Sequence, residues 1–141
     1  MKDQELLLRI VALQVAPGTY KRPLKKFLNE FAAKHRFLDD LPADSLRAQI
    51  EQSAELLMNG PGPGALRLRG GQVNAALTEA VFIGLMRRLE AGDPPQAEEI
   101  QTALEKMLMD EGFITAISRA TADEESVRTR LAVATQAFAV N

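Results

Sequence analysis

Side chains able to move a proton or hold a metal are sparse in this sequence and poorly spaced for either task. His35 is the only histidine, so a His-based metal site or a nucleophile–base pair has to use it. Asp39 follows four residues later, within reach on a continuing helix. A Ser-His-Asp arrangement would further need Ser45, Ser53, Ser118 or Ser126 brought in by tertiary contact, and none of these sits in a Gly-x-Ser-x-Gly turn. Glu98-Glu99, Asp110-Glu111 and Asp123-Glu124-Glu125 offer carboxylates, but each group falls at an expected helix end, where the macrodipole or solvent accounts for it. Gly60 to Gly71 is rich in glycine, yet no strand leads into it and no Gly-Lys-Ser/Thr closes it, as a phosphate loop requires. With no cysteine, disulfides, thiolate catalysis and Cys-based zinc or iron–sulfur sites are excluded. The residues assign no catalytic group, no cofactor and no metal, and the expectation is a protein that is not an enzyme.

Positioning elements are easier to read than chemistry. A chain of 141 residues can bury roughly 70% of its unfolded surface, enough for one self-sufficient core. Only six Phe and one Tyr are aromatic, so Leu, Ala, Val, Ile and Met must fill that core, a mixture that favours helix on helix. The spacing predicts an all-α, single-domain bundle of about six or seven helices over residues 1–141, with no sheet. The first helix runs from Asp3 to about Val15 and is apolar nearly all round, so it wants neighbours on two sides. Pro23 opens a second, in which Leu24, Phe27, Leu28 and Phe31 make an i, i+3, i+4, i+7 stripe. Asp39, Asp40 and Pro42 introduce a third, to about Met58, and an exposed Gly/Pro-rich loop spans about 59–72. A fourth, Val73 to Ala91, is the expected buried centre. Gly84 in its interior costs about 1 kcal/mol relative to Ala, which points to close approach of another helix. A fifth runs from Pro94-Pro95 to about Asp110, with Gly112 as its stop. A short helix follows from Phe113 to Arg119, and Thr121-Ala122-Asp123-Glu124 offers a capping box for the last.

Two surfaces stand out as candidates for binding. Residues 1 to 36 carry eight Lys and Arg against three carboxylates, while the whole chain carries a net charge of −2. That polarity makes Lys21, Arg22, Lys25, Lys26, Lys34 and Arg36, with Arg67 and Arg69 beyond the loop, candidate contacts to a nucleic-acid backbone. The over-apolar first helix makes Leu7, Leu8, Val11 and Val15 a candidate protein interface, in a homodimer or with another chain. No run of 18 apolar residues and no signal-peptide order occurs, so a cytoplasmic protein without a membrane partner is expected.

Three stretches carry a resemblance. Lys2-Asp3-Gln4-Glu5-Leu6-Leu7-Leu8-Arg9, Pro23-Leu24-Lys25-Lys26-Phe27-Leu28-Asn29-Glu30 and Val73-Asn74-Ala75-Ala76-Leu77-Thr78-Glu79-Ala80-Val81, with a weaker echo at Val127-x-x-Arg130-Leu131, keep family order and rough spacing. Together they look like the helical C-terminal half of the GmrSD-type modification-dependent restriction proteins. The resemblance implies a helical region that docks on a ParB-like catalytic domain, in cis or in trans. The family's Asp-Gly-Gln-Gln-Arg type motif and its His-Asn-His nuclease domain are both missing, so no functional residue carries over. The implied role is a non-catalytic interaction module; DNA binding through the basic face of the second helix is the alternative. Leu66-Arg67-Leu68-Arg69-Gly70-Gly71 also matches the tail of ubiquitin, whose chemistry needs a free carboxylate after the last glycine; here Gln72-Val73 continue the chain, and the segment reads as a glycine hinge.

Overall fold

The computed structural model describes residues 2–36, 42–68 and 71–140; Asp39, Asp40 and Arg69 lie outside them. Within them the chain forms α1 (Lys2–Val15), α2 (Leu24–Lys34), α3 (Ala43–Asn59), α4 (Ala75–Ala91), α5 (Ala97–Met109), α6 (Glu111–Ser118) and α7 (Glu124–Phe138). Short 3-10 turns occupy Pro17–Thr19 and Pro63–Leu66. Among the described residues there is no strand, and a single bridge between Arg67 and Val73 pins the glycine-rich loop. The all-α bundle expected from composition is what forms, and among the described residues no helix is long and apolar enough to cross a membrane.

Helix ends follow local hydrogen-bond chemistry. Asn74 caps α4: its Oδ1 accepts from the Leu77 N–H at 2.8 Å, and its Nδ2 donates to the Ile117 carbonyl of α6 at 3.0 Å. Glu99 reaches back to the Gln96 N–H at the start of α5, at 3.2 Å. Asp110, not Gly112, marks the break between α5 and α6. Its Oδ1 takes the Phe113 N–H at 2.9 Å, and Gly112 continues inside α6 because the new cap restarts the helix at once. The box expected at Thr121 also shifts: Asp123 is the N-cap of α7, while the Thr121 carbonyl accepts from Arg130. Asn74→Ala should cost about 1–2 kcal/mol, since one orphan N–H loses its acceptor and the Ile117 carbonyl its donor. Asn74→Asp, which keeps only the cap, should fall between Ala and wild type in urea midpoint.

The core divides into two clusters that share α4. One joins Leu77, Val81 and Leu85 of α4 to Ile100, Leu104 and Met107 of α5, Phe113 and Ile117 of α6, and Phe138 of α7. The other joins Ile83 and Met86 of α4 to Ile10 and Leu13 of α1, Phe27, Leu28 and Phe31 of α2, and Val127 and Leu131 of α7. Half-buried Phe82 touches both. Because α4 is apolar on all sides it is enclosed, as its sequence predicts, and it packs on α1, α3, α6 and α7. The glycine-rich loop is less exposed than its composition suggests. Ala65, Leu66 and Leu68 pack against the first cluster, since apolar side chains override the loop's flexibility once a core face is available.

A buried ion network fixes α1 and α7 onto α4. Glu79, fully enclosed, accepts from Arg9 Nη2 at 2.8 Å and from Arg130 Nε at 2.7 Å and Nη2 at 3.0 Å. Arg130, 1% exposed, also donates through Nη1 to the Ala116 carbonyl at 3.1 Å, so it ties the end of α6 into the same network. At the other end of α4, Arg88 donates to the carbonyls of Asp93 and Phe138 and to Glu99. Its charge sits in the last turn of α4, where the carbonyl end of the helix favours a cation.

Candidate functional site

A shallow apolar groove lies between α1 and α3, lined by Leu7 and Val11 of α1 and by Ala43, Leu46, Arg47, Ile50 and Glu51 of α3. Its position follows from how α1 is anchored. Ile10, Ala12 and Leu13 turn into the second core cluster and Arg9 into the Glu79 network, so the helix rotation is fixed and Leu7 is left on the outer face. Leu7 is 47% exposed and Val15 37%. Leu8 and Val11, grouped with them at the sequence level, are half-buried and pack on the second cluster. The groove adds α3 residues that the sequence did not single out. Leu46 is buried in the second core cluster and Ile50 packs against it, and both also line the groove.

Arg47 and Glu51 stand one turn apart on α3 at the groove's rim, and neither makes an ion pair among the described residues. At the far end of the α1–α3 contact, the Glu90 carboxylate of α4 accepts from the amides of Gln14 at 2.9 Å and Gln49 at 3.4 Å, joining the three helices.

The basic face is dispersed and partly engaged. Lys21, Arg22, Lys25, Lys26, Lys34 and Arg36 are all exposed. Arg22 is drawn onto the start of α7, its Nη1 2.8 Å from Asp123 Oδ1 and its Nε 3.6 Å from Glu124 Oε2. Lys26 pairs with Glu30 across one turn at 4.0 Å. Arg67 belongs to the loop between α3 and α4, where its Nη1 donates to the Gly71 carbonyl at 3.2 Å. His35 caps the end of α2 with its ring 4.4 Å from Phe31, which makes it part of the helix terminus. The serines proposed with it are scattered over α3, α6 and α7.

A second cleft lies beside Tyr20, Arg87, Glu124, Arg128 and Leu131. Arg87 Nη1 donates to Thr135 Oγ1 at 2.6 Å, and burial pushes its guanidinium down from the usual value. The Arg22 N–H bonded to Glu124 holds that carboxyl below the ordinary range, so it stays ionised and offsets the neighbouring cations. Tyr20 donates its hydroxyl to the Ala122 carbonyl, and burial pushes its phenol up. A raised phenol contributes stability that is fully present below the unfolded value near 10 and fades as pH rises through the folded value. Tyr20 is the only tyrosine, so its phenolate absorbance follows one site. Alkaline destabilisation above pH 10 should be smaller in Tyr20→Phe than in wild type; equal slopes would remove burial as the cause.

Among the described residues no group of three or more His, Cys, Asp or Glu converges as metal ligands would. Comparison with protein-family models, with curated proteins and with solved structures finds no match.

Proposed function

We propose that this chain is a non-catalytic, cytoplasmic helical interaction module that works by docking on another protein. The observation carrying this reading is the groove of α1 and α3, where Leu7 stands half in solvent beside Val11, Leu46 and Ile50. An apolar surface walled by two rigid helices is a form that protein partners fill, with side-chain anchors entering the gap. The sequence resemblance supplies the expected partner, a ParB-like catalytic domain of a GmrSD-type restriction protein. Arg9, Glu79 and Arg130, which meet in the buried network, fall within the stretches that carry that resemblance. Those three residues share one physical task, holding α1 and α7 on α4.

Calorimetric titration of such a ParB-like domain into the purified chain tests it. Saturable binding with a negative heat-capacity change is expected, because apolar surface leaves water. Absence of heat at several temperatures would remove the partner. Nucleotide or DNA turnover by the chain alone would overturn the non-catalytic reading. Titration with plain and modified duplex DNA at low salt separates the alternative. Steeply salt-dependent binding that Lys21→Glu/Lys25→Glu/Lys34→Glu abolishes would establish a nucleic-acid interface on α2 instead.

A further inference from the structure

We infer that the cleft between α7 and the turn after α1 binds a small organic carboxylate with an apolar body, and that Arg87 holds its charged end. Arg87 is the exception among the arginines drawn into this molecule. Those buried or half-buried among the described residues are Arg9, Arg87, Arg88 and Arg130. Arg9 and Arg130 share Glu79, and Arg88 reaches Glu99 at 3.2 Å. Arg87 bonds to no carboxylate among the described residues. Its Nη1 donates to the neutral hydroxyl of Thr135, which in turn donates to the Leu131 carbonyl at 2.6 Å. Two carboxylates act on this region, and both are turned to other donors. Glu90 accepts from Gln14 and Gln49, while Glu124 accepts from the Arg22 N–H at 3.1 Å with Arg22 Nε at 3.6 Å. A half-buried guanidinium has given up part of its hydration, and no anion of the described chain bonds to it in exchange.

The class of ligand follows from what else faces the gap. Arg128, exposed and without an ion pair among the described residues, lines the same cleft. Two arginines against Glu124 leave one positive charge in excess, which a carboxylate balances and a phosphate dianion overshoots. The guanidinium fork also matches the two oxygens of a carboxylate. Beside the charges, Val127, Leu131 and Ala132 of α7 supply an apolar wall, so the body carrying the carboxylate is apolar. The cleft measures about 400 Å³, within the range of roughly 300–1,000 Å³ that small-molecule sites occupy. It shares no lining residue with the α1–α3 groove, so this inference stands or falls apart from the docking reading.

Tyr20 lines the cleft, and as the only tyrosine of a chain without tryptophan its fluorescence reports on this site alone. Titration of the full chain with sodium hexanoate should give a saturable change with a Kd on the order of 1 mM or tighter. The melting temperature should rise with hexanoate concentration, since only the folded chain holds the ligand. Hexanol and inorganic phosphate, each carrying one half of the recognised chemistry, should bind at least about tenfold more weakly. Hexyl phosphate should also rank below hexanoate. Arg87→Met should weaken hexanoate at least about tenfold yet leave the free protein as stable as wild type or more so, because methionine keeps the packing of the stem without a desolvated charge. Arg87→Lys, which keeps the charge and loses the fork, should fall between the two. Arg128→Met should weaken binding only about threefold, because that charge is screened by solvent. No saturable response to hexanoate below about 20 mM overturns the inference. So does hexanol or inorganic phosphate binding as tightly as hexanoate, or Arg87→Met and Arg87→Lys binding it as wild type does. A free Arg87→Met protein melting well below wild type would make the arginine a strut between α4 and α7, and would overturn it too.

Discussion

Glu79→Gln should destabilise the protein by about 3–5 kcal/mol, a large part of the roughly 5–15 kcal/mol available to an ordinary domain. The carboxylate is fully enclosed and, among the described residues, is the only anion bonded to Arg9 and Arg130, so its removal leaves two buried guanidinium groups facing a neutral amide. Each has already lost most of its water, and the desolvation penalty of several kcal/mol per ion is then uncompensated. The damage should not be uniform. Arg130 keeps the Ala116 and Thr121 carbonyls, whereas among the described residues Arg9 donates to Glu79 alone. Detachment of α1 should therefore precede global unfolding, visible as faster amide exchange in α1 than in α4. Replacing all three residues together, as Arg9→Met/Glu79→Leu/Arg130→Met, should recover most of the loss, because no charge then remains inside. Urea denaturation of the single and triple variants decides the point. A single variant as stable as wild type would mean that water reaches the site.

Gly84→Val is expected to cost at least about 3 kcal/mol, the upper end of what overpacking does in a close-packed core. A Cβ built at Gly84 meets Phe138 Cδ2 at 2.7 Å and the Ala134 carbonyl oxygen at 2.9 Å. The phenyl ring could turn away, but the carbonyl belongs to the backbone of α7 and cannot move without shifting that helix. Even Gly84→Ala, which adds helix propensity worth about 1 kcal/mol, should come out destabilising for this reason. Thermal unfolding of the two variants should rank wild type, Ala, Val in falling order. A stabilised Gly84→Ala would show that α4 and α7 can separate without loss, and the close-approach account would fall.

These two positions mark different kinds of legibility. Gly84 announces itself, because a glycine in an otherwise apolar helix has a cost that only a tight neighbour explains. Glu79 does not. In the sequence it is one carboxylate among nineteen acidic residues, and its partners lie 70 and 51 residues away. Its one signal is position, a charge within a helix that is apolar on every face, with arginines in the first and last helices to meet it.

The sequence by itself determined the all-α class, the helix count, the enclosed α4 and the stripe of α2, because apolar periodicity and caps are local and repeat with the helix itself. It also marked α1 as too apolar for one neighbour. Tertiary structure alone decided which side of α1 stays outside. Arg9 is pulled inward by Glu79, Leu8 and Val11 follow onto the core, and Leu7 is left beside Leu46 and Ile50 of a helix far away in the chain. Helix periodicity specifies a face only up to a rotation about the axis, and a charge buried by another element is what fixes that rotation here.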